Sequence, residues 1–198
     1  MSPDLRRSIL PDLEQGKSLI LTLFSAETAR EITTEIVRDL TGAGYYVVII
    51  TTNQPSEVMR RSYERNQIDP ASVFFIDAIT SYAVGTAPAA VPGVRFVSSP
   101  SNLTDLGIAI TGAIGDARPG KICVLFDSVN TMFIYLPSTE VSKFLHYIGN
   151  RLRILGIPGI FLAVGTGLNP MILARIDTIV DEVVDFGPGA VAGTDKPE

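Results

Sequence analysis

The chain has 198 residues, the size of one ordinary domain and enough to bury a core without disulfide or metal support. It carries 16 Lys and Arg against 21 Asp and Glu, so the formal net charge is -5 and no global field attracts nucleic acid or anionic lipid. The single cysteine, Cys123, excludes an internal disulfide and a cysteine metal cluster, and the apolar run around it predicts a buried, inert side chain.

Location and partners are predicted from the apolar content. The N-terminal residues, MSPDLRRSILPDLEQGK, lack the apolar stretch of a signal peptide, and the longest apolar run, Ile154 to Val164, is too short to span a bilayer. We therefore expect a cytoplasmic protein with no membrane segment. A hydrophobic fraction of 46% fits a buried parallel sheet with further apolar surface for a partner, whereas the charge balance disfavours nucleic acid.

Runs that are apolar throughout predict strands covered on both faces. There are five of them: Ser18 to Phe24, Tyr45 to Ile50, Val73 to Ile76, Ile122 to Phe126 and Gly159 to Val164. An alternating run, Thr178 to Phe186, predicts a final edge strand. Residues 1–187 are interpreted as one domain, and residues 188–198 as a mobile tail.

Helical patterns lie between these runs, so we predict an α/β fold with a mostly parallel sheet and helices on both faces. The predicted helices begin at Ala29, run from Pro55 to Asn66, begin at Ser101 or Asn102, and run from Ser138 to Leu155 and from Asn169 to Ile176. The Gly/Pro/Ala-rich segment Ser81 to Pro100 is interpreted as a long connection. Ligands in such sheets bind beyond the carboxyl ends of the strands.

The turn after the first strand, FSAETARE, occupies the place where many α/β proteins hold phosphate. A phosphate loop needs glycines, a lysine and a hydroxyl, but Ala29 and Arg30 stand at the glycine and lysine positions and Glu31 at the hydroxyl position. A structural turn is therefore favoured, in which Ser25 caps the helix and Glu27 interacts with the helix dipole.

The fourth apolar run ends in Asp127-Ser128, a pattern with which many NTPases hold the surroundings of a magnesium ion. A carboxylate at a strand end also caps the following turn, so Asp127 alone is a weak metal candidate. Asp77 ends the third run in the same way, and loop capping is favoured there because two carboxylates make a poor magnesium site.

Taken in order, the pieces resemble the core of KaiC-like ATPases of the RecA superfamily, a family common in archaea. The resemblance covers about Gly16 to Gly187, and its most specific parts are VFFIDAIT, SPSNLTDL and FDSVNTMFIY. It implies a RecA-type P-loop fold. In that fold the first strand carries the phosphate loop, the second ends in a catalytic glutamate, and the fourth carries an aspartate associated with magnesium.

The family pattern is altered at two of these three places. Walker A is degenerate, and the second strand ends in Thr52-Asn53-Gln54, whose amides position water without accepting its proton. Asp127 with Ser128 retains the pattern. The resemblance thus implies a vestigial nucleotide site at Ser25, Ala29, Arg30, Glu31, Asn53, Gln54, Asp127 and Ser128, with no catalytic residue and no metal.

Three hypotheses follow for the function. The leading one is a catalytically inactive pseudo-ATPase without a cofactor that acts as a regulatory or scaffolding protein through protein association. The resemblance implies that the partner is an active relative or a second copy in a homo-oligomer. The alternative is a sensor that binds a nucleotide or anion without hydrolysing it, with residual ATP and magnesium binding through Arg30, Asn53, Gln54 and Asp127. An active ATPase with an unconventional loop is least favoured, because no residue replaces the two lost positions.

Other polar residues are interpreted as structural. His146 is the only histidine, so a multi-histidine metal site is excluded. It lies beside the core stripe of its helix and is interpreted as a partly exposed structural residue. Five arginines are interpreted as solvated helix faces, not as an anion-binding patch: Arg60, Arg61, Arg65, Arg151 and Arg153. Gly165-Thr166-Gly167 is interpreted as a turn.

Overall fold

A computed structural model describes residues 8–117 and 120–187 of the chain. The strands in this part are β1 (Leu19–Phe24), β2 (Tyr45–Thr51), β3 (Val73–Asp77), β4 (Val94–Phe96), β5 (Lys121–Asp127), β6 (Gly159–Val164) and β7 (Glu182–Asp185). They form one sheet in the order β4-β3-β2-β5-β6-β1-β7, and all neighbouring strands pair in parallel. The α/β fold with a parallel sheet is therefore confirmed.

Helices connect the strands and cover both faces of the sheet. They are α1 (Leu10–Glu14), α2 (Ala29–Gly42), α3 (Ser56–Arg65), α4 (Thr80–Val84), α5 (Leu103–Asp116), α6 (Val129–Tyr135), α7 (Ser138–Leu155) and α8 (Pro170–Asp177). Of the two helix starts predicted at Ser101 or Asn102, the structure has the second, because the Asn102 side chain caps α5. The helix predicted from Asn169 begins one residue later, and the Asn169 side chain caps it in the same way.

Two stretches differ from the prediction. The last strand begins at Glu182 instead of Thr178, because the N–H groups of Ile179 and Val180 still bond to the Ile176 carbonyl at the end of α8. The segment Ser81 to Pro100 contains the edge strand β4, which was missed because three residues are too few to show a pattern. Helices α1, α4 and α6 were missed as well, and the predicted tail, residues 188–198, lies outside the described residues.

The core consists of two apolar clusters, one on each face of the sheet. Alternate residues of β1 belong to different clusters: Leu19 and Leu21 pack with α5 and α7, whereas Ile20 packs with α2 and α3. This two-sided burial explains why the strands are apolar throughout. Cys123 is buried as predicted, and burial raises the pKa of its thiol.

Helix α7 approaches the sheet closely through two glycines. A Cβ atom at Gly149 would lie 2.9 Å from Cδ1 of Leu19, and one at Gly159 would lie 2.7 Å from Cδ1 of Leu152. The predicted core stripe of α7 is buried except at its end, where Leu155 is 49% exposed because the helix stops there at left-handed Gly156.

None of the helices in residues 8–117 and 120–187 has both the length and the apolar character needed to cross a membrane.

Asp181 ties the start of β1 to the end of α7. Its Oδ2 accepts hydrogen bonds from the N–H groups of Ser18 (2.8 Å) and Leu19 (2.9 Å), and its Oδ1 pairs with Arg153 at 2.6 Å. Burial by itself raises the pKa of Asp181, but these hydrogen bonds outweigh it and lower the pKa from 3.8 to about 2.

We expect Asp181→Ala to lower the free energy of unfolding at pH 7 by about 1–3 kcal/mol, because two backbone N–H groups lose their acceptor and Arg153 loses its ion pair. The stabilisation is present above the unfolded pKa of about 4 and is lost as the pH falls toward 2, so it disappears in that window. Denaturant titrations from pH 2 to 7 measure this. Exposed Glu64 provides the control, Glu64→Ala, and equal losses in both variants would contradict the prediction.

Candidate functional site

Three polar strand ends lie side by side at the carboxyl edge of the sheet. Thr51 of β2 is in register with Asp77 of β3 on one side and with Asp127 of β5 on the other. The N–H of Thr52 donates to the Asp127 carbonyl at 2.9 Å, which extends this alignment one residue beyond the strand. The register therefore places two carboxylates at the same level of the sheet.

Asp77 is a loop cap, as predicted. Its side chain is fully buried and accepts hydrogen bonds from the backbone N–H groups of Ser56 (2.7 Å), Ile79 (3.0 Å) and Thr80 (2.8 Å). Burial by itself raises the pKa of this carboxyl, but the hydrogen bonds from Thr80 and Ser56 outweigh it and lower the pKa. Asp77 thus stays ionised and holds the loops that follow β2 and β3.

Asp127 has a different environment. Its carboxyl lines a cavity, and desolvation by burial raises its pKa from 3.8 to about 6. The peptide bond that follows, Asp127–Ser128, is cis. Ser128 itself is buried below the cavity, where its carbonyl accepts hydrogen bonds from the hydroxyls of Thr52 (3.2 Å) and Thr131 (2.8 Å).

The cavity lies between α2 and α3, over the ends of β5 and β6, and has a volume of about 550 Å³. Its lining brings together the following predicted site residues: Ala29, Arg30, Asn53, Gln54 and Asp127. The other three predicted residues, Ser25, Glu31 and Ser128, are not part of that lining.

The turn between β1 and α2 consists of residues 25–28 and closes on itself. The N–H of Thr28 donates to the Ser25 carbonyl at 3.2 Å, and the hydroxyls of the two residues lie 3.0 Å apart. Helix α2 is capped by Thr28 without a side-chain hydrogen bond, so the prediction that Ser25 caps this helix is wrong. The Ser25 hydroxyl lies three residues before the cap and contacts the hydroxyl and the N–H of Thr28. Glu27 precedes the helix, and Glu31 lies in its first turn.

Tyr63 of α3 is a site residue that the sequence reasoning missed. It is 5% exposed, stacks on Phe75 with ring centroids 6.1 Å apart, and lines the cavity. Its hydroxyl is buried and has no hydrogen-bond partner in the described part of the chain. Burial raises the pKa of Tyr63, and the nearby charge of Asp127 adds to the effect. Its position one helical turn after Met59 indicated a core side chain and gave no sign of the hydroxyl's position.

Asn130 was also missed, although it belongs to the quoted segment FDSVNTMFIY. Its side chain donates to the Val164 carbonyl at 3.0 Å and accepts from the Val164 N–H at 2.7 Å. The hydroxyls of Thr52 and Thr131 lie 2.7 Å apart. These contacts tie α6 to the ends of β2 and β6, and Val164 at the end of β6 belongs to the cavity lining.

The remaining polar residues have structural contacts. His146 is exposed on α7, with either ring nitrogen near the Asn150 amide. Arg60 and Arg61 pair with Glu57 on α3, as expected for a solvated helix face. Within residues 8–117 and 120–187, no group of three or more His, Cys, Asp or Glu side chains is arranged to hold a metal ion.

Comparison with known proteins places the chain in a family. The model of DUF7504, a family of unknown function, matches residues 21–186. The chain belongs to this family. No curated protein matches this DUF7504 chain.

Two solved structures from the archaeon Pyrococcus horikoshii are similar to the DUF7504 chain. The KaiC-like protein PH0186 of strain OT3 is 14% identical, with a TM-score of 0.58 over 86% of this chain and 71% of that one. The uncharacterized protein PH0321, in complex with an unknown peptide, is 15% identical, with a TM-score of 0.66 over 93% of this chain and 84% of that one. At these identities the likeness shows the fold alone, and it confirms the predicted KaiC-like, RecA-type fold.

We expect Asp127→Asn to stabilise the protein at pH 7 by on the order of 1–3 kcal/mol. The raised pKa of about 6 means that the folded state binds a proton between pH 4 and 6 that the unfolded chain has lost. Stability therefore falls as the pH rises through this window, and the amide removes the loss. Denaturant titrations at pH 4, 6 and 7.5 measure the effect.

The matched control is Asp77→Asn at the same level of the sheet. This carboxylate is satisfied by backbone N–H groups, so its amide variant should be less stable than the wild type at pH 7. Destabilisation of both variants by the same amount would contradict the contrast between the two carboxylates.

Proposed function

We propose that this RecA-fold domain does not hydrolyse nucleotide and that it acts as a regulatory or scaffolding protein, by associating with another protein or with a second copy of itself. In this proposal the Walker A motif is degenerate and the catalytic glutamate has been lost. Vestigial nucleotide-site residues remain at the strand ends, and neither a metal nor a cofactor is needed.

The observation that carries the proposal is the closed turn between β1 and α2. A phosphate loop encloses an anion with free backbone N–H groups, but here the Thr28 N–H bonds back to Ser25 within the turn. Glu27 on the turn lines the cavity, and Glu31 lies in the first turn of α2, so this end of the helix already carries two carboxylates. Like charges repel, so the turn disfavours a polyphosphate.

The end of β2 supports the same conclusion. Asn53 and Gln54 line the cavity at the position where the resemblance implies a catalytic glutamate. An amide has no basic oxygen that takes a proton from an attacking water. Hydrolysis needs both the stabilised phosphate and the activated water, and each is missing at a different strand end.

Exposed apolar side chains support the association. Tyr82 and Val84 of α4 are 54% and 66% exposed, and Ile134 of α6 is 73% exposed. The Tyr82 ring contacts the Tyr135 ring edge-on with centroids 5.4 Å apart, so α4 and α6 form one apolar surface. Such a surface is typical of protein interfaces. PH0321, which has the same fold, has been crystallised with an unknown peptide.

We expect no turnover of Mg-ATP or Mg-GTP above the rate without protein, and no change in the thermal midpoint at millimolar nucleotide. Binding at 100 times Kd would stabilise the folded state by about 2.7 kcal/mol, so the absence of a shift is informative. Malachite-green phosphate release and thermal scans measure both. Turnover that disappears in Asp127→Ala would refute the proposal.

We expect light scattering at increasing concentration to give a mass above the chain's 21.3 kDa if the association is between copies. Ile134→Arg should then return the mass to that of the monomer, because a buried charge has no partner in an apolar interface. Ile154→Arg is the control, since Ile154 is 85% exposed at the far end of α7. Equal effects of both variants would contradict an interface at α4 and α6. A monomer at every concentration would rule out association between copies and leave association with a different protein.

A further inference from the structure

We propose that the cavity between α2 and α3 binds a small zwitterionic molecule, whose ammonium group lies between Asp127 and Tyr63 and whose carboxylate lies at Arg30 and Arg65. The inference goes beyond the proposed function, because neither the absence of ATP hydrolysis nor the association depends on it.

The deep end of the cavity is a built polar site. The Tyr63 side chain is only 5% exposed, and its hydroxyl has no hydrogen-bond partner among the residues that the structure describes. A buried hydroxyl without a partner costs about 1–3 kcal/mol, so the fold retains it at a cost that a ligand would offset. The Phe75 ring stacks on Tyr63 and Phe75 is itself buried in β3, which fixes the direction of the hydroxyl.

Asp127 determines the charge of the group that fits there. Asp77, at the same level of the sheet, is satisfied by backbone N–H groups, whereas the Asp127 carboxylate faces the cavity. A desolvated carboxylate is best satisfied by a cationic hydrogen-bond donor. The Tyr63 hydroxyl oxygen also accepts a hydrogen bond, so an ammonium group with three donors matches both acceptors.

The rim carries the opposite charge. Arg30 of α2 and Arg65 of α3 are exposed at the two sides of the cavity, and Arg65 Nε donates to the Arg61 carbonyl within its helix. Arginine binds carboxylates in a two-pronged geometry. Glu27 also lines the rim, so two carboxylates and two guanidinium groups balance in the lining. This balance favours a molecule of zero net charge over a polyanion.

The rest of the lining mixes polar and apolar side chains, and the polar ones are Thr33, Thr34, Asn53, Gln54 and Ser62. The apolar ones include Ala29, Val58, Met59 and Val164, which suit a methylene chain. The volume of about 550 Å³ accommodates a molecule the length of an ω-amino acid or of lysine, with room for water. The ligand class is therefore an amine and a carboxylate separated by a short aliphatic chain.

The test is isothermal titration calorimetry of the full chain with 4-aminobutanoate, 6-aminohexanoate, 8-aminooctanoate and L-lysine. We expect binding that depends on chain length, with at least ten-fold weaker binding of hexanoate and hexylamine, each of which lacks one charge. Absence of heat with all four zwitterions, or equal binding of hexanoate, overturns the proposal.

Variants locate the site. Tyr63→Phe removes only a hydroxyl that has no partner in the described part of the chain, so the variant should fold as well as the wild type and bind the best zwitterion at least ten-fold more weakly. Tyr147→Phe is the control, because Tyr147 is 50% exposed on α7 and lies outside this cavity. Asp127→Asn should weaken binding similarly. Unchanged binding in Tyr63→Phe, or displacement of the zwitterion by Mg-ATP, overturns the assignment of this site. The phosphate-release and light-scattering experiments test the proposed function separately, because neither measures zwitterion binding.

Discussion

The candidate site depends on the register of three adjacent parallel strands. Because β2 pairs with β3 and β5 so that Thr51 lies beside both Asp77 and Asp127, the polar residue that ends each strand appears at one level of the sheet. Apolar packing on both faces maintains this register, since a shift of one residue would move the buried side chains of the shifted strand from one cluster into the other.

The two carboxylates show how neighbouring positions acquire different roles. Asp77 is enclosed by backbone N–H groups from two loops, which lower its pKa and make it a structural cap. Asp127 is placed by the same register, but it faces the groove between α2 and α3, where burial raises its pKa. A buried carboxylate without such partners reduces stability at neutral pH, and proteins commonly retain such groups where they bind something.

This chain has the RecA-type fold without the side chains of a phosphate loop. The order of the strands places β6 between β1 and β5, so the turn after β1 and Asp127 face one another across one intervening strand. The turn closes through Ser25 and Thr28, and α2 begins with Ala29 and Arg30, so the scaffold is retained without the parts of a phosphate loop. The function therefore has to be argued from the side chains of the cavity and the exposed helices α4 and α6.

The sequence by itself determined the elements with strong local signals. Continuous apolar runs identified the long strands, because burial on both faces leaves no polar alternation, and Asn102 and Asn169 marked helix starts. It also placed Arg30, Gln54 and Asp127 at strand ends, which the structure brings into one cavity. Only the tertiary structure decided that the three-residue β4 joins the sheet. It also decided that the Tyr63 hydroxyl, which has no partner among residues 8–117 and 120–187, is buried close enough to Asp127 to sense its charge. These depend on contacts between segments far apart in the chain, which local periodicity does not encode.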